Sequence, residues 1–304
     1  MNMKYEDITF DMLSTKRQRP MYLTAFTQTR WNMDMKTYPK DPHAYTKQFL
    51  YTVDKWINDH ELIQYKNLNT FSRKDVILGT THQLDELHLL HGKKITVFRG
   101  EYKYHRRLTN STVKQISNLS ELTPGDVLIV SYPSCITTNY IKDFNELLCK
   151  CLNDNIEVHI DGAWFGQCRN FNFDVSHPAI RSVSVSLSKA FGMGSQRIGI
   201  RYTRERINGP IAIMNDYGYV NASDMWIGVT MIDKFGVDFW WKNYSELYSK
   251  VCKDFDLKEA NSIHVAWHKG AQVGIRTPLR MLIDNYYDIR GTDQGLNEIE
   301  RNEK

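Results

Sequence analysis

The sequence has no long hydrophobic run, no block of like charge and no repeated segment. No stretch approaches the roughly 18 consecutive apolar residues of a membrane-spanning helix, and the first residues lack the apolar core of a signal peptide. The net charge is +4 with both signs interspersed, so there is no basic patch suited to nucleic acid. We therefore expect neither a membrane nor a nucleic acid among the partners.

Cysteine is also scarce. The five cysteines are an odd number and lack the spacing of a disulfide framework. This pattern predicts reduced thiols and a cytoplasmic location. Cys149 and Cys151 are two residues apart on a predicted helix, so they face different directions and are poor joint ligands for a metal. The sequence predicts no metal site.

The 304 residues are enough for one large domain and a smaller one. We predict an N-terminal arm and helix at 1–70 and a large domain at 71–235. A small C-terminal domain is expected at 236–304, ending in a charged tail that frays.

Between about residues 75 and 202, strand-like and helix-like patterns alternate. A helix is predicted at 141–151, where apolar side chains recur every three or four residues. Alternation of this kind is typical of a mostly parallel sheet with helices on both faces. The sequence thus predicts an α/β fold with a small α+β part at the C-terminus. The predicted strands are 76–78, 95–98, 127–130, 156–160, 183–187, 198–200 (orientation left open) and 263–267.

Polar residues stand where four of these strands end. They are Gly79, Ser131, Asp161 and Lys189. Ligands of open α/β sheets bind beyond the carboxyl ends of the strands. We therefore expect these residues to meet at one site.

Three segments offer groups suited to a phosphate. Gly79, Thr80 and Thr81 follow a strand and open a helix, where free backbone N–H groups and the helix dipole favour an anion. The Ser186 hydroxyl and the planar Arg197 guanidinium also suit phosphate oxygens. Taken singly, each has an ordinary alternative, such as a helix cap, a surface serine or a salt-bridged arginine.

Lys189 and Asp161 add an amine and a carboxylate. A desolvated lysine forms imines readily, and a carboxylate can keep a pyridine nitrogen protonated. Alone, Asp161 could simply start a turn after its strand. Together with the phosphate donors, these groups are what pyridoxal phosphate requires. Tyr102, Tyr104 and His105 could cover one face of its ring.

The strings DGAW at 161–164, SLSKAFGM at 186–193 and RIG at 197–199 resemble those of the class I/II aminotransferases, which are fold-type I pyridoxal-phosphate enzymes. The resemblance covers about residues 70–202. It implies that Asp161 faces the ring nitrogen, that Lys189 forms the Schiff base, and that Ser186 and Arg197 hold the phosphate. The segment 79–81 is similar to the phosphate-binding turn, and Tyr102 falls near the position of a ring-stacking aromatic.

The chain also departs from the family pattern. Cys135 or Ser134 stands where the family has an asparagine that contacts the phenolic oxygen of the cofactor. Trp164 replaces a frequent tyrosine, and its indole can donate but not accept a hydrogen bond. For the arginine that grips the substrate carboxylate, Arg276 is the first candidate and Arg280 the second.

The resemblance implies a pyridoxal-phosphate-dependent aminotransferase that moves an amino group between an amino acid and a 2-oxo acid or other carbonyl. It also implies a homodimer, in which a tyrosine of the partner, one of Tyr45, Tyr51 and Tyr65, completes the phosphate site. The alternatives are a lyase, decarboxylase or racemase on the same scaffold, because substrate orientation selects the bond that breaks. A binding protein without catalysis is a third possibility. A serine acyl-enzyme based on Ser186–x–x–Lys189 is rejected, because its companion motifs are missing.

Overall fold

The structure is a computed structural model that describes residues 4–13, 20–106 and 113–289. Much of the charged tail predicted at the C-terminus lies outside the described residues. The helices are α1 Thr24–Trp31, α2 Pro42–Asp59, α3 Thr80–His91, α4 Phe144–Asn153, α5 Leu187–Ala190, α6 Pro210–Asp216, α7 Ala222–Phe235, α8 Phe239–Asp254 and α9 Arg276–Ile289. The strands are β1 Ile63–Lys66, β2 Arg73–Ile77, β3 Ile95–Phe98, β4 Lys114–Ile116, β5 Val127–Ser131, β6 Glu157–Gly162, β7 Phe171–Asp174, β8 Ile180–Ser186, β9 Gly199–Thr203, β10 Lys258–Glu259, β11 Val265–His268 and β12 Ala271–Gly274.

The centre of the molecule is a seven-stranded sheet in the order β2-β9-β8-β6-β5-β3-β4. Strands β4, β3, β5, β6 and β8 pair in parallel. All five residues of β5 are buried, as expected of a strand covered on both faces. The predicted α/β fold with a mostly parallel sheet is confirmed. Strand β9, whose direction the sequence left open, runs antiparallel to both of its neighbours.

The C-terminal part contains a small antiparallel sheet, β10-β11-β12, together with α8 and α9. This is the small α+β part that the sequence predicts. The boundaries proposed at 70 and 235 remain predictions. A separate parallel pair of β1 and β7 was not predicted, because it joins residues far apart in the chain.

Two helices refine the sequence-based expectations. Helix α4 begins at Phe144 and not at 141, because Asp143 has a left-handed backbone with φ of 55° and stands at its N-cap. Helix α2 buries Phe49, Val53, Trp56 and Ile57, which form one apolar stripe along the helix. It packs on α7, and its Trp56 indole donates a hydrogen bond to the Gly236 carbonyl at 2.9 Å.

Among the described residues, no helix combines the length and apolar character required to cross a bilayer. All five cysteines are free thiols, and Cys149 is the exposed one.

Candidate active site

A cavity of about 530 Å³ lies at the carboxyl ends of β5, β6 and β8, beside the N-terminus of α3. This is the edge of the sheet where the sequence predicts the site. Most of the predicted site residues line it, namely Thr80, Thr81, Tyr102, Cys135, Asp161, Trp164, Ser186, Lys189, Arg197, Arg276 and Arg280. Ser131, at the end of β5, also contributes to the wall.

Lys189 and Asp161 provide the amine and the carboxyl of this cavity. Lys189 stands on α5, the single turn that follows β8, and its Nζ is 5.8 Å from the centre of the Trp164 ring. Burial lowers the pKa of Lys189, and the nearby Asp161 opposes that shift. A larger share of the amine is therefore neutral near neutral pH, which is the nucleophilic form.

Asp161 is 2% exposed near the end of β6. Burial raises the pKa of its carboxyl, while Lys189 and the Ala163 N–H, which donates to Oδ1 at 2.9 Å, act in the opposite direction. Among the residues that the structure describes, Asp161 forms no ion pair. A buried acid of this kind, facing a cavity, is suited to a ligand that brings a positively charged or hydrogen-bearing nitrogen.

Donors for an anion converge at the start of α3. The Ser186 hydroxyl donates to Ser188 Oγ at 2.9 Å, and Arg197 Nη1 donates to the same Ser188 oxygen at 3.4 Å. Arg197 Nη2 donates to the Thr81 hydroxyl. The first N–H groups of α3 have no acceptor within their own helix. These groups form a corner suited to an anion, which we name the anion-binding corner, and Ser188 is a member that the sequence analysis did not assign.

Gly79 does not line the cavity but lies directly behind this corner. Its φ is 71°, a backbone conformation that side chains disfavour. A Cβ here would stand 2.7 Å from Arg197 Nη2 and 3.4 Å from Ser186 Oγ. Glycine at this position therefore lets the turn approach the arginine closely.

A buried glutamate organises another wall, and no sequence pattern pointed to it. Glu101 is 4% exposed, and it accepts hydrogen bonds from Ser131 N–H at 2.9 Å and Ser131 Oγ at 2.7 Å. The Cys135 thiol donates to it at 3.2 Å. Burial, followed by Glu101, raises the pKa of Cys135, so this cysteine stays a thiol. Ser134 instead accepts backbone N–H groups of its own turn, which favours Cys135 as the residue in place of the family asparagine.

The three residues considered for the ring face differ in position. Tyr102 lines the cavity, and Tyr104 stacks on it with ring centres 5.6 Å apart. His105 does not reach the site. Its ring is buried and lies 3.1 Å from His88, measured from Nδ1 to Nε2.

The two candidate arginines both lie on the wall, at the start of α9. Arg276 is partly buried and donates to the Pro20 carbonyl at 3.2 Å, while Arg280 is exposed and faces Asp284 at 3.8 Å. The segment with Pro20 and Tyr22 also lines the cavity, although no sequence motif marked it.

The three tyrosines considered for a partner site differ in position. The Tyr65 hydroxyl donates to the Tyr132 carbonyl within the core of its own chain, so Tyr65 is a poor candidate. Tyr45 is half-buried against the core. Tyr51 is 69% exposed.

No protein-family model matches the sequence, and comparison with curated proteins finds no match. Solved structures do match. An aromatic aminotransferase from Pyrococcus horikoshii is 14% identical over 86% of this chain and 81% of its own, with a TM-score of 0.60. An aspartate aminotransferase from Thermotoga maritima is 11% identical over 86% of this chain and 88% of its own, with a TM-score of 0.59. A double mutant of Thermus thermophilus aspartate aminotransferase is 14% identical over 82% of this chain and 74% of its own, with a TM-score of 0.57.

At such low identity, the likeness shows the fold alone. The chain has the fold of the class I aminotransferases, as the resemblance of its motifs implied. What the chain does must be argued from its own cavity.

Proposed function

We propose that the chain is a pyridoxal-phosphate-dependent aminotransferase that acts between an amino acid and a 2-oxo acid or another carbonyl compound. One observation carries the proposal. A single cavity brings together a desolvated amine, a buried carboxyl and an anion-binding corner. Each group alone is ordinary, but their convergence matches the chemistry of this one cofactor.

The residues fit the cofactor. Asp161 is a buried acid suited to the ring nitrogen. Thr81, Ser186, Ser188 and Arg197 would hold the phosphate at the helix N-terminus. The close turn at Gly79 leaves room for Arg197 in that corner.

Pyridoxal phosphate, when bound, supplies an aldehyde carbon for imine formation and a ring that takes up electron density. The chain supplies the proton transfers and the orientation. Because burial lowers the pKa of Lys189, its Nζ can accept a proton near neutral pH and return it. Asp161 would hold the ring nitrogen through its hydrogen. Trp164, whose ring centre lies 5.8 Å from Nζ, forms the cavity wall beside the amine.

Arg276 and Arg280 make an amino acid or oxo acid the fitting substrate class. Both guanidinium groups line the cavity, and a planar guanidinium binds a carboxylate through two parallel hydrogen bonds. Arg276 is the more buried of the two and is our candidate for the α-carboxylate. Arg280 is then free to contact the far end of the substrate.

The test is covalent trapping. The purified protein, mixed with pyridoxal phosphate and reduced with borohydride, should carry the label on the peptide that contains Lys189. Lys189→Ala should lose that label and, before reduction, the visible absorption of the bound cofactor. Lys74→Ala changes a lysine outside the cavity wall and should keep both. A label confined to other lysines would refute the assignment.

Transfer of the amino group needs a second measurement. With a panel of amino acids, the holoenzyme should release a 2-oxo acid and leave the cofactor in its amine form. We expect Lys189→Ala to lower the rate about a thousandfold or more, as for loss of an acid–base group.

The Glu101–Cys135 pair gives a reason to test a second function. Here a thiol hydrogen-bonded to a carboxyl stands in place of the amide that the family uses. On the same scaffold, a lyase would release an eliminated group and a decarboxylase would release carbon dioxide. A racemase would form the mirror-image amino acid. Elimination also yields a 2-oxo acid, together with ammonia, but only transamination leaves the amino group on the cofactor. The same panel therefore distinguishes the reactions when ammonia and the form of the cofactor are measured with the products.

We also propose a homodimer of a cytoplasmic enzyme, with Tyr51 as the tyrosine offered to the partner because its side chain is exposed. Light scattering after size exclusion tests the dimer. Tyr51→Phe should weaken phosphate binding without changing the mass of the particle.

A further inference from the structure

A second cluster of ligand-type side chains lies at the opposite edge of the sheet. Glu157 begins β6, and His159 follows two residues later, so both side chains point to the same face of the strand. His91, the last residue of α3, covers that face. The three ligand atoms lie within 4.8 Å of one another.

His159 is the least expected member of this cluster, because its ring is 1% exposed and Nε2 has no hydrogen-bond partner. The other ring nitrogen, Nδ1, is 2.8 Å from Ser182 Oγ. Metal binding requires the tautomer that carries its hydrogen on Nδ1 and donates it to Ser182, because the lone pair of Nε2 then faces Glu157, 3.6 Å away. A buried nitrogen left without a partner is costly unless something binds it.

The geometry suits a small divalent metal. His159 Nε2 and Glu157 Oε2 are 3.6 Å apart. Metal–ligand bonds of about 2.0–2.1 Å in a tetrahedron place neighbouring ligand atoms roughly 3.3–3.4 Å apart. His91 is only partly buried, so a rotation of its ring can bring it to the same distance. Two histidines and one carboxylate form a recognised zinc ligand set.

Arg181 flanks the Glu157 carboxylate, and a cavity lies beside the cluster. Arg181 Nε lies 3.8 Å from the other Glu157 oxygen, and its charge is shared with Glu205 at 3.6 Å. A cavity of about 300 Å³ adjoins the cluster and leaves room for a water as fourth ligand. The C-terminal end of α3, with its negative dipole, also favours a cation.

We propose that His91, Glu157 and His159 bind one Zn²⁺ ion, with a water in the fourth position, and so fasten the C-terminus of α3 to β6. Because the N-terminus of α3 contributes Thr80 and Thr81 to the cavity described above, this ion would fix the helix whose other end holds the anion. The site itself is independent of the proposed transaminase activity.

The experiment measures the metal directly. The full-length protein, carrying Cys149→Ser to remove its exposed thiol, is treated with a chelator, given zinc chloride and passed through gel filtration. Bound zinc is counted by mass spectrometry. We expect about one zinc per chain and a rise in Tm with zinc concentration. His91→Ala and Glu157→Gln, each at a side chain that is not fully buried, should reduce the bound zinc at least tenfold.

His43→Ala is the matched control, because it removes an exposed histidine elsewhere and should retain the zinc. A parent protein without stoichiometric zinc would overturn the proposal, as would equal zinc in the parent and in both cluster variants. Borohydride labelling of Lys189 is measured in the same samples. Its failure with zinc still bound would count against the proposed function only.

Discussion

Two sets of buried charges in this molecule differ in how they are paired. Beneath α3, Arg201 is 0% exposed and lies between two buried carboxyls, with Nη2 2.6 Å from Asp75 Oδ2 and Nη1 bonded to Glu86. In the cavity, Asp161 and Lys189 influence each other's pKa but form no ion pair among the described residues. We call the first set closed, because its charges pair with one another within the chain. We call the second set open, because its two groups do not form such a pair.

The difference separates structural charges from functional ones. Burying a charge costs several kcal/mol, and an opposite charge with good geometry offsets much of that cost. The Asp75–Arg201–Glu86 network offsets it within the chain, because Asp75 also pairs with Arg73 at 2.8 Å and two acids therefore face two arginines. Loss of one acid leaves one positive charge in excess. The open pair is instead available to a ligand. In the unliganded protein, the cost of burying these groups lowers the stability.

The two sets should differ most in how the free energy of unfolding changes when one carboxylate charge is removed from each. Glu86→Gln removes one charged acceptor from the fully buried Arg201, so we expect it to lower the free energy of unfolding by about 1.5–3 kcal/mol. Asp161→Asn makes the same chemical change at a carboxyl that is also 2% exposed. Because burial raises the pKa of Asp161, its charge opposes folding, and we expect this variant to be as stable as the wild type or more so.

Urea unfolding of the cofactor-free proteins gives both values. Cofactor affinity should respond in the opposite way. Asp161→Asn should weaken cofactor binding, and Glu86→Gln should leave it unchanged at temperatures where that variant is folded. Equal losses of stability in the two variants would contradict the distinction between closed and open charges.

The anion corner should be separable from the ring site. Arg197→Gln removes a charged donor, so we expect affinity for pyridoxal phosphate to fall about tenfold to a hundredfold, equivalent to 1.5–3 kcal/mol. Affinity for pyridoxal, which lacks the phosphate, should change little. Fluorescence titration with both compounds measures the contrast, and equal losses for the two would remove Arg197 from the phosphate role.

A buried histidine pair provides a third case, in which the groups are neutral. Burial, aided by His88, lowers the pKa of His105 from 6.5 to about 3. Between those pH values the unfolded chain binds the proton and the folded chain does not, so stability rises with pH across this window. The slope is at most about 1.4 kcal/mol per pH unit, or roughly 2 kcal/mol between pH 5 and pH 6.5.

His105→Leu should flatten this dependence. The quantity to measure is the difference in unfolding free energy between wild type and variant at pH 5 and pH 7. If that difference is the same at both pH values, His105 is not kept neutral by the fold.

The sequence predicted what is local and missed what is long-range. The strand that ends near Asp161 and the strand that precedes Lys189 followed from alternating patterns and short motifs, because both signals lie within a few neighbouring residues. Glu101 left no such signal. A single glutamate after a strand becomes meaningful only when folding brings Ser131 and Cys135 against it.

The same limit applies to strand direction and to side-chain clusters. The antiparallel direction of β9 depends on how the chain turns back after α5, which periodicity does not describe. His91 joins Glu157 and His159 only because α3 packs across β6 in space. By contrast, the stripe of α2 was present in the sequence at helical spacing, so the bounds of that helix could have been predicted.

The smallest expected effect separates backbone strain from close approach. Gly79 and Gly92 flank α3 and both have positive φ, 71° and 53°. An added Cβ at Gly79 meets Arg197, whereas at Gly92 nothing lies within 4 Å. Alanine at either position should lower stability by about 1–2 kcal/mol through strain alone. Only Gly79→Ala should also weaken binding of pyridoxal phosphate, because Arg197 must shift. Thermal unfolding and cofactor titration of the two variants measure these effects, and equal cofactor affinity in both would show that the turn at Gly79 contributes its backbone conformation and not its closeness to the arginine.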